Sequence, residues 1–267
     1  MRPALLFCHS AFGKDLTAIR RYRTARAYDG VEWAWDGWRL MLPRERRRRH
    51  LDALRDIAPL SSAHAPYADM EIGHPDAAHA RAATQILTGY IEAAADLGAH
   101  HLNLHAGSYA PAPEEFSRDN CLRSLSVLME RAARLGTAVT LENLRQGPTS
   151  DPETFTGILR ATGIPVTFDL GHAHGSAWVQ AGHGSVADVL RAIPTRVLAA
   201  HIYFSELRDA HVVPSAVADI AEALDGLRAA GCDFWVLELH APEPLEQTRK
   251  VVDEYLARHS GRAPGAP

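Results

Sequence analysis

Eight short apolar runs, each followed by a longer amphipathic stretch, constrain this chain more than any other feature of it. The runs are ALLFC (4–8), GVEWAW (30–35), LSSAHAPY (60–67), HHLNLHAG (100–107), AVTLEN (138–143), VTFDLG (166–171), VLAAHIYF (197–204) and FWVLELHA (234–241). Between them, apolar residues recur with the 3.6-residue period of a surface helix. Ala83, Ile86, Leu87, Tyr90, Ile91 and Ala94 share one stripe, which stops at Gly98. Leu122, Leu125, Met129, Ala132 and Leu135 share another, which stops at Gly136. Asp151-Pro152 reads as an N-cap with proline at the first helical position. Ile220, Leu224 and Leu227 form a further stripe before Gly231. Eight βα units in about 250 residues predict an α/β fold, a single (β/α)8 TIM barrel over residues 1–259. A doubly wound open sheet is the alternative, but Phe12-Gly13-Lys14 after the first run is a lone glycine, not a GxGxxG fingerprint. Residues 260–267, SGRAPGAP, read as a disordered tail.

Composition narrows the function classes. With 46% of 267 residues hydrophobic, the chain can bury a sizeable core. No apolar run reaches the roughly 20 residues of a membrane span. The segment MRPALLFCHSAFGKD lacks the long apolar region of a signal peptide, so a cytoplasmic protein without membrane association is expected. Cys8, Cys121 and Cys232 form an odd set without CxxC spacing, which fits a reducing compartment. Cys8 reads as a small buried hydrophobe. A net charge of −4 gives no general attraction to nucleic acid. The run RERRRR (44–49) falls where a helix is expected, and it reads as a solvated helix face.

In such a barrel the carboxyl ends of the strands converge on one mouth, where catalytic groups collect. Reading the last polar residue of each run gives His64, His105, Glu142, Asp169 with His172 just beyond it, His201, and Glu238. Asp209 and His211 follow in the loop after the seventh run. Four carboxylates could not stay ionised in one crevice without cations between them. Imidazole mixed with carboxylate suits zinc, manganese, cobalt or iron, and the donor set allows one to three ions per chain. In the second run and its loop, EWAWDGWR offers Glu32, Trp33, Trp35 and Trp38 as pocket walls for a sugar-like ring. Tyr67 and Trp178 are further candidates to close the pocket, and His9 is a candidate substrate contact. His174 reads as a plain loop residue.

These residues resemble the xylose isomerase-like barrel superfamily, which includes sugar and sugar-phosphate isomerases, ketose 3-epimerases and endonuclease IV. The resemblance covers the third to eighth runs. Its epimerases imply a metal held by Glu142, Asp169, His201 and Glu238, with the two glutamates as the acid/base pair and His172 touching substrate. Its endonuclease IV branch implies further metal ligands at His64, His105, His172, Asp209 and His211. The stretch HIYFSELRDAHVVPSAVADI (201–220) also resembles a loop of small-molecule members, but Ser215 to Ala218 stand where that loop has glycines. Related barrels commonly pair, which makes a homodimer the assembly to test.

Two reaction classes follow. In the first, the metal acidifies a C–H beside a carbonyl, and Glu142 and Glu238 remove and return the proton of a carbohydrate-like small molecule. In the second, two or three metals activate water to hydrolyse a phosphoester. The acidic pI argues against nucleic acid as the substrate. A non-catalytic metabolite-binding barrel would leave both glutamates idle.

Overall fold

Eight parallel strands close into a barrel. The computed structural model describes residues 2–35, 44–108, 115–208 and 210–259. The barrel strands are β1 (Ala4–Cys8), β2 (Gly30–Ala34), β3 (Leu60–His64), β4 (Leu102–Leu104), β5 (Val139–Glu142), β6 (Val166–Asp169) and β7 (Val197–Ile202). A two-stranded antiparallel hairpin follows, β8 (Ser205–Leu207) and β9 (Ala210–Val212), before the eighth barrel strand, β10 (Phe234–Leu237). Around the ring the order is β1-β10-β7-β6-β5-β4-β3-β2. The helices, in chain order, start with α1 (Leu16–Ala25), α2 (Arg44–Ile57), α3 (Ala77–Leu97), α4 (Arg118–Arg134) and α5 (Pro152–Thr162). Two short helices, α6 (Leu170–Gly175) and α7 (Ala177–Gln180), come after β6. The last three are α8 (Val186–Ala192), α9 (Ala221–Ala229) and α10 (Pro242–His259).

The predicted runs and the strands agree in number and order, but most strands stop short of their runs. The trimmed residues, such as Ala65 to Tyr67 after β3 and His105 to Gly107 after β4, begin the loops at the mouth. The helices have the expected stops. Gly98 and Gly163 cap α3 and α5 in the left-handed conformation. Asp151 accepts a hydrogen bond from Thr154 N with Pro152 at the first turn of α5. The arginine-rich run is the first turns of α2: Arg46, Arg48 and Arg49 are exposed, and Arg49 pairs with Glu45 at 3.5 Å. Arg55, also exposed, reaches across to donate to the Leu97 carbonyl at the end of α3. Residues 260–267 and Trp38 lie outside the described residues. No helix among the described residues is long and apolar enough to cross a membrane.

Strand alternation decides what enters the barrel. Leu6, Ala199, Phe234 and Val236 pack together as an apolar layer. Above it sits a polar layer tied across strands. Ser62 Oγ donates to Glu32 at 2.8 Å, and the Thr140 and Thr167 hydroxyls meet at 2.7 Å. Thr140 Oγ1 also donates to Asn103 Oδ1 at 3.2 Å. Buried polar groups are tolerated here because they satisfy one another. The opposite faces of the strands, with Phe7, Val31, Leu104, Leu141 and Phe168, pack under the helices.

At Gly30 the β2 and β3 backbones pack with no room for a side chain: a Cβ there would lie 2.2 Å from the Leu60 carbonyl oxygen. Backbone cannot yield as a flexible side chain can, so overpacking strains the β2–β3 seam. Gly30→Ala is expected to lower unfolding free energy by about 1–3 kcal/mol in urea titrations. An unchanged midpoint would mean that the two strands spread freely.

Candidate functional site

Alternation then places one more inward layer at the carboxyl ends of the strands. Glu142, Asp169, His201 and Glu238 are buried there and offer ligand atoms that all lie within 4.8 Å of one another. His201 Nδ1 is 3.0 Å from Glu238 Oε2, 3.4 Å from Asp169 Oδ2 and 3.6 Å from Glu142 Oε2. A second group, His64, His105 and Glu142, meets the same spacing. His64 Nε2 and His105 Nε2 lie 3.5 Å and 3.2 Å from Glu142 Oε2.

Local structure aims these groups. Asp169 caps α6, its Oδ1 accepting from His172 N at 2.6 Å, which leaves Oδ2 toward His201. Asn143 brackets the Asp169 backbone, accepting from its N–H at 2.9 Å and donating to its carbonyl at 2.8 Å. Asn103 Nδ2 donates to Glu142. His64 Nδ1 donates to the Ala65 carbonyl at 2.8 Å, so Nε2 is the nitrogen left to face Glu142 or, once it has lost its proton, a cation. Glu32 Oε1 approaches His201 Nε2 at 3.1 Å, close enough for an ion pair although the angle is not that of a hydrogen bond. A carboxylate behind a ligating imidazole orients it and raises its basicity.

Without a cation the imidazoles carry the balancing charge. Burial alone would neutralise His201 and His172, but the carboxylates around them hold both pKa values well above the ordinary histidine range. Burial likewise opposes a charge on His64, yet the Glu142 hydrogen bond and charge push it up to about 9. Burial would raise Glu142, but His105 and His201 hold it well below the usual carboxylate range. Asp169 goes the other way, raised by burial. Asp169 Oδ2 and His201 Nδ1 make no hydrogen bond although both are buried and face each other. Orphaned ligand atoms pointed at a common centre, among three buried carboxylates, fit a divalent cation.

A cavity of about 520 Å³ opens above this floor. Its walls include Ser10, Tyr67, Ser108, Arg145, Glu206 and His240. The volume is that of a small-molecule site. Tyr67 is half exposed and stacks on His105 with ring centroids 4.8 Å apart. His211, on β9, also lines the cavity, and its Nδ1 donates to the Glu238 carbonyl at 2.5 Å. The His211 ring stacks on Tyr203 at 4.0 Å. Tyr203 in turn covers Gly171, where a Cβ would lie 1.9 Å from its ring, so only glycine fits the third position of Asp169-Leu170-Gly171-His172.

Several expectations need correction. Trp33 and Trp35 do not wall the pocket. Glu32 and Ala34 take the inward positions of β2, so the alternate tryptophans point outward, Trp33 into the core and Trp35 against Tyr90 of α3. Glu32 itself lies beneath the cavity, not on its wall. His9 packs beside Trp33 and accepts from Ala34 N at 3.1 Å, off the cavity lining. Trp178 packs over Gly184. His172 meets acceptors at both ring nitrogens, Glu142 at 3.1 Å and the Asn143 carbonyl at 3.0 Å on Nδ1, and Glu206 at 2.9 Å on Nε2. It therefore acts as a donor in this arrangement, and neither it nor His211 joins a metal-ligand group among the described residues. Asp209 lies outside the described residues. His174 packs on Phe204, away from the cluster. The glycine-free loop at Ser215 is closed by Asp219, whose Oδ2 accepts from Ser215 N and Ala216 N at 2.7 Å and 3.0 Å.

Strand ends alone do not reveal Arg145, Glu206 and His240. Arg145 stands three residues beyond Glu142 and pairs with Glu206 at 3.3 Å. Glu206 sits on a hairpin whose three-residue strands leave little pattern in the sequence. Cys8 is buried as expected, yet it also lines the cavity wall, where its Sγ accepts from Ser10 Oγ at 3.1 Å.

Comparison with known proteins places this geometry. Residues 22–258 match the family model described as xylose isomerase-like TIM barrel. An uncharacterized protein of Methanocaldococcus jannaschii is 25% identical over 155 residues, 58% of this chain. The match spans 65% of that relative's own length, just under two thirds. Among solved structures, a D-tagatose 3-epimerase-like protein superposes with a TM-score of 0.79 at 20% identity, covering 96% of this chain and 98% of the other. Endonuclease IV from Thermus thermophilus superposes with a TM-score of 0.69 at 18% identity, covering 96% and 100%. At these identities the likeness is one of fold.

Elemental analysis after metal loading tests the two ligand groups separately. His64→Ala is expected to lose about one ion per chain, whereas Asp169→Asn and His201→Ala lose the tightest-bound ion. Glu32→Gln is expected to weaken metal affinity by about 10–100-fold. Trp35→Ala should cost about 3–5 kcal/mol of stability and leave affinity unchanged. A Trp35→Ala protein with the Glu32→Gln metal defect would contradict these placements.

Proposed function

The chain belongs to the xylose isomerase-like TIM barrel family, and from that premise we propose that it is a metal-dependent isomerase or epimerase of a sugar-like small molecule. One observation carries the reading. Glu142 and Glu238 rise from strands three places apart in the ring, β5 and β10, and converge on His201 at the floor of a cavity sized for a small ligand. A substrate carbon held between them meets a carboxylate from two directions, as removal and return of a proton require.

Glu142, Asp169, His201 and Glu238 would hold the cation, which would polarise adjacent substrate oxygens as a Lewis acid. The chain's own groups do the rest. One glutamate takes the proton from the carbon beside the carbonyl, and the other supplies one to the neighbouring position or the opposite face. Asn103 orients Glu142 by donating to it. His172, held protonated between Glu142 and Glu206, fixes the Glu142 carboxylate from the side of the cavity. Tyr67, stacked on His105 at the rim, provides a flat apolar wall. Arg145 is the one lining guanidinium among the described residues, and Glu206 offsets its charge. That balance favours a polyhydroxy ligand over a strongly anionic one. The D-tagatose 3-epimerase-like and D-psicose 3-epimerase structures with the same fold support a carbohydrate substrate.

A second reading, hydrolysis of a phosphoester, is favoured by the His64–His105–Glu142 group, which would hold a further cation next to the first. Paired cations activate water and stabilise a leaving oxygen.

Solvent-exchange measurements separate the two. With Mn²⁺- or Co²⁺-loaded protein in D2O, a ketose substrate should gain deuterium at the carbon beside its carbonyl. Glu142→Gln and Glu238→Gln should each lower kcat by about 10²–10⁴-fold. Cleavage of phosphoesters, with no exchange into any ketose, would overturn the isomerase reading.

A further inference from the structure

Beside the two ligand groups above lies a third set of buried donors, which shares Glu238 with the central one. Cys8 at the end of β1, Glu32 on β2 and Glu238 after β10 present one ligand atom each, all within 4.8 Å of one another. All three side chains are buried. Their strands are neighbours in the ring, β10 to β1 to β2, and Cys8 is in register with Glu32. We propose that Cys8, Glu32 and Glu238 form a further metal subsite, one that takes a thiophilic divalent ion such as zinc or cobalt through the Cys8 thiolate.

Three observations carry this beyond a coincidence of acidic groups. First, the Glu32 carboxylate is fully buried and satisfied on one side only. Ser62 donates to Oε2, while Oε1 makes no hydrogen bond and has only the His201 ring, at 3.1 Å and off hydrogen-bond angle, as an ionic neighbour. A buried carboxylate oxygen without a hydrogen bond is costly, and a cation is the strongest partner it can gain. Second, Cys8 is among the residues that line the cavity, which puts it at the mouth and not deep in the core. Cys121 and Cys232 are equally buried and line no cavity among those described. Third, the donor chemistry differs from the rest of the mouth. The other two groups offer imidazole and carboxylate alone, whereas this one adds sulfur, which selects softer ions. Ion binding displaces the thiol proton to solvent and forms the S–metal bond, with no redox change. Ser10 Oγ, now donating to Cys8 Sγ at 3.1 Å and 3.0 Å from His240 Nδ1, would keep its bond to the thiolate. Glu238 then belongs to two neighbouring subsites, as Glu142 does on the other side of the mouth.

Cobalt reports a thiolate ligand by an intense near-ultraviolet sulfur-to-metal charge-transfer band, separate from the weak visible bands of nitrogen and oxygen ligation. The purified chain is titrated with Co²⁺ alone, without substrate. The charge-transfer band should appear in wild type, vanish in Cys8→Ser and Cys8→Ala, and persist in a Cys121→Ser/Cys232→Ser double variant. The variants should keep the visible bands and a wild-type apo melting temperature, which guards against misfolding. Zinc content should fall by about one ion per chain in Cys8→Ser. Visible bands without a charge-transfer band in wild type would overturn the thiolate subsite and leave the central metal group standing. A band that survives Cys8→Ser would also overturn it. Absence of both kinds of band would overturn this subsite and the central metal reading together.

Discussion

The arrangement depends on one electrostatic constraint: Glu142, Asp169 and Glu238 all press their carboxylates toward His201 Nδ1 inside a buried layer. Like charges a few ångströms apart cost about 3–4 kcal/mol per pair even at an effective dielectric near 20. The fold supports that crowd because strand ends are rigid and because imidazoles accept protons to offset it. Burial opposes charge on His64, His172 and His201, and the surrounding carboxylates still hold all three above their ordinary range. A divalent ion at the centre would take over the same duty, so protonated imidazole and bound cation are alternative answers to one charge problem.

The layers beneath convert that crowd into defined geometry. An apolar floor of Leu6, Ala199, Phe234 and Val236 fills the barrel, and the Ser62–Glu32 and Asn103–Thr140–Thr167 hydrogen bonds lock the layer above it. Those groups in turn touch the functional ones: Glu32 backs His201, and Asn103 donates to Glu142. Positioning therefore comes from side chains one layer down, on the same strands, where packing leaves them little freedom. The hairpin of β8 and β9 performs the corresponding task from above, placing Glu206 against His172 and His211 beneath the Glu238 carbonyl.

The barrel is legible because its signal is repeated eight times, and no single run has to be read correctly. Strand-end polarity likewise brings Glu142, Asp169, His201, Glu238, His64 and His105 together, since a parallel barrel aligns all its carboxyl ends at one mouth. Facing is what the sequence hides. Ring chemistry suggests Trp33 and Trp35 as pocket walls, but with Glu32 inward the period of two turns both outward. The same parity, applied from Cys8 through its register with Glu32, makes the thiol a mouth residue as well as a small apolar filler. Arg145 and Glu206 escape because loops and three-residue strands carry no period, so their proximity is a product of tertiary packing.

On the proposed reading, cation number and reaction type would be a single variable. The two glutamates proposed to transfer the proton are also the two that neighbouring donor groups share, Glu142 with His64 and His105, and Glu238 with Cys8 and Glu32. A carboxylate that binds one ion through one oxygen keeps the other for a proton. A carboxylate that bridges two ions has neither oxygen left, and its basicity is lost to the metals. With the central group alone filled, the mouth would hold two competent bases around a substrate carbon. With the outer groups filled as well, neither Glu142 nor Glu238 would be left as a base, and a row of Lewis acids would stand in their place, an arrangement that activates water. On the proposed reading, the affinities of the outer donor sets, set by imidazole on one side and sulfur on the other, would decide which of the two chemistries the barrel mouth performs.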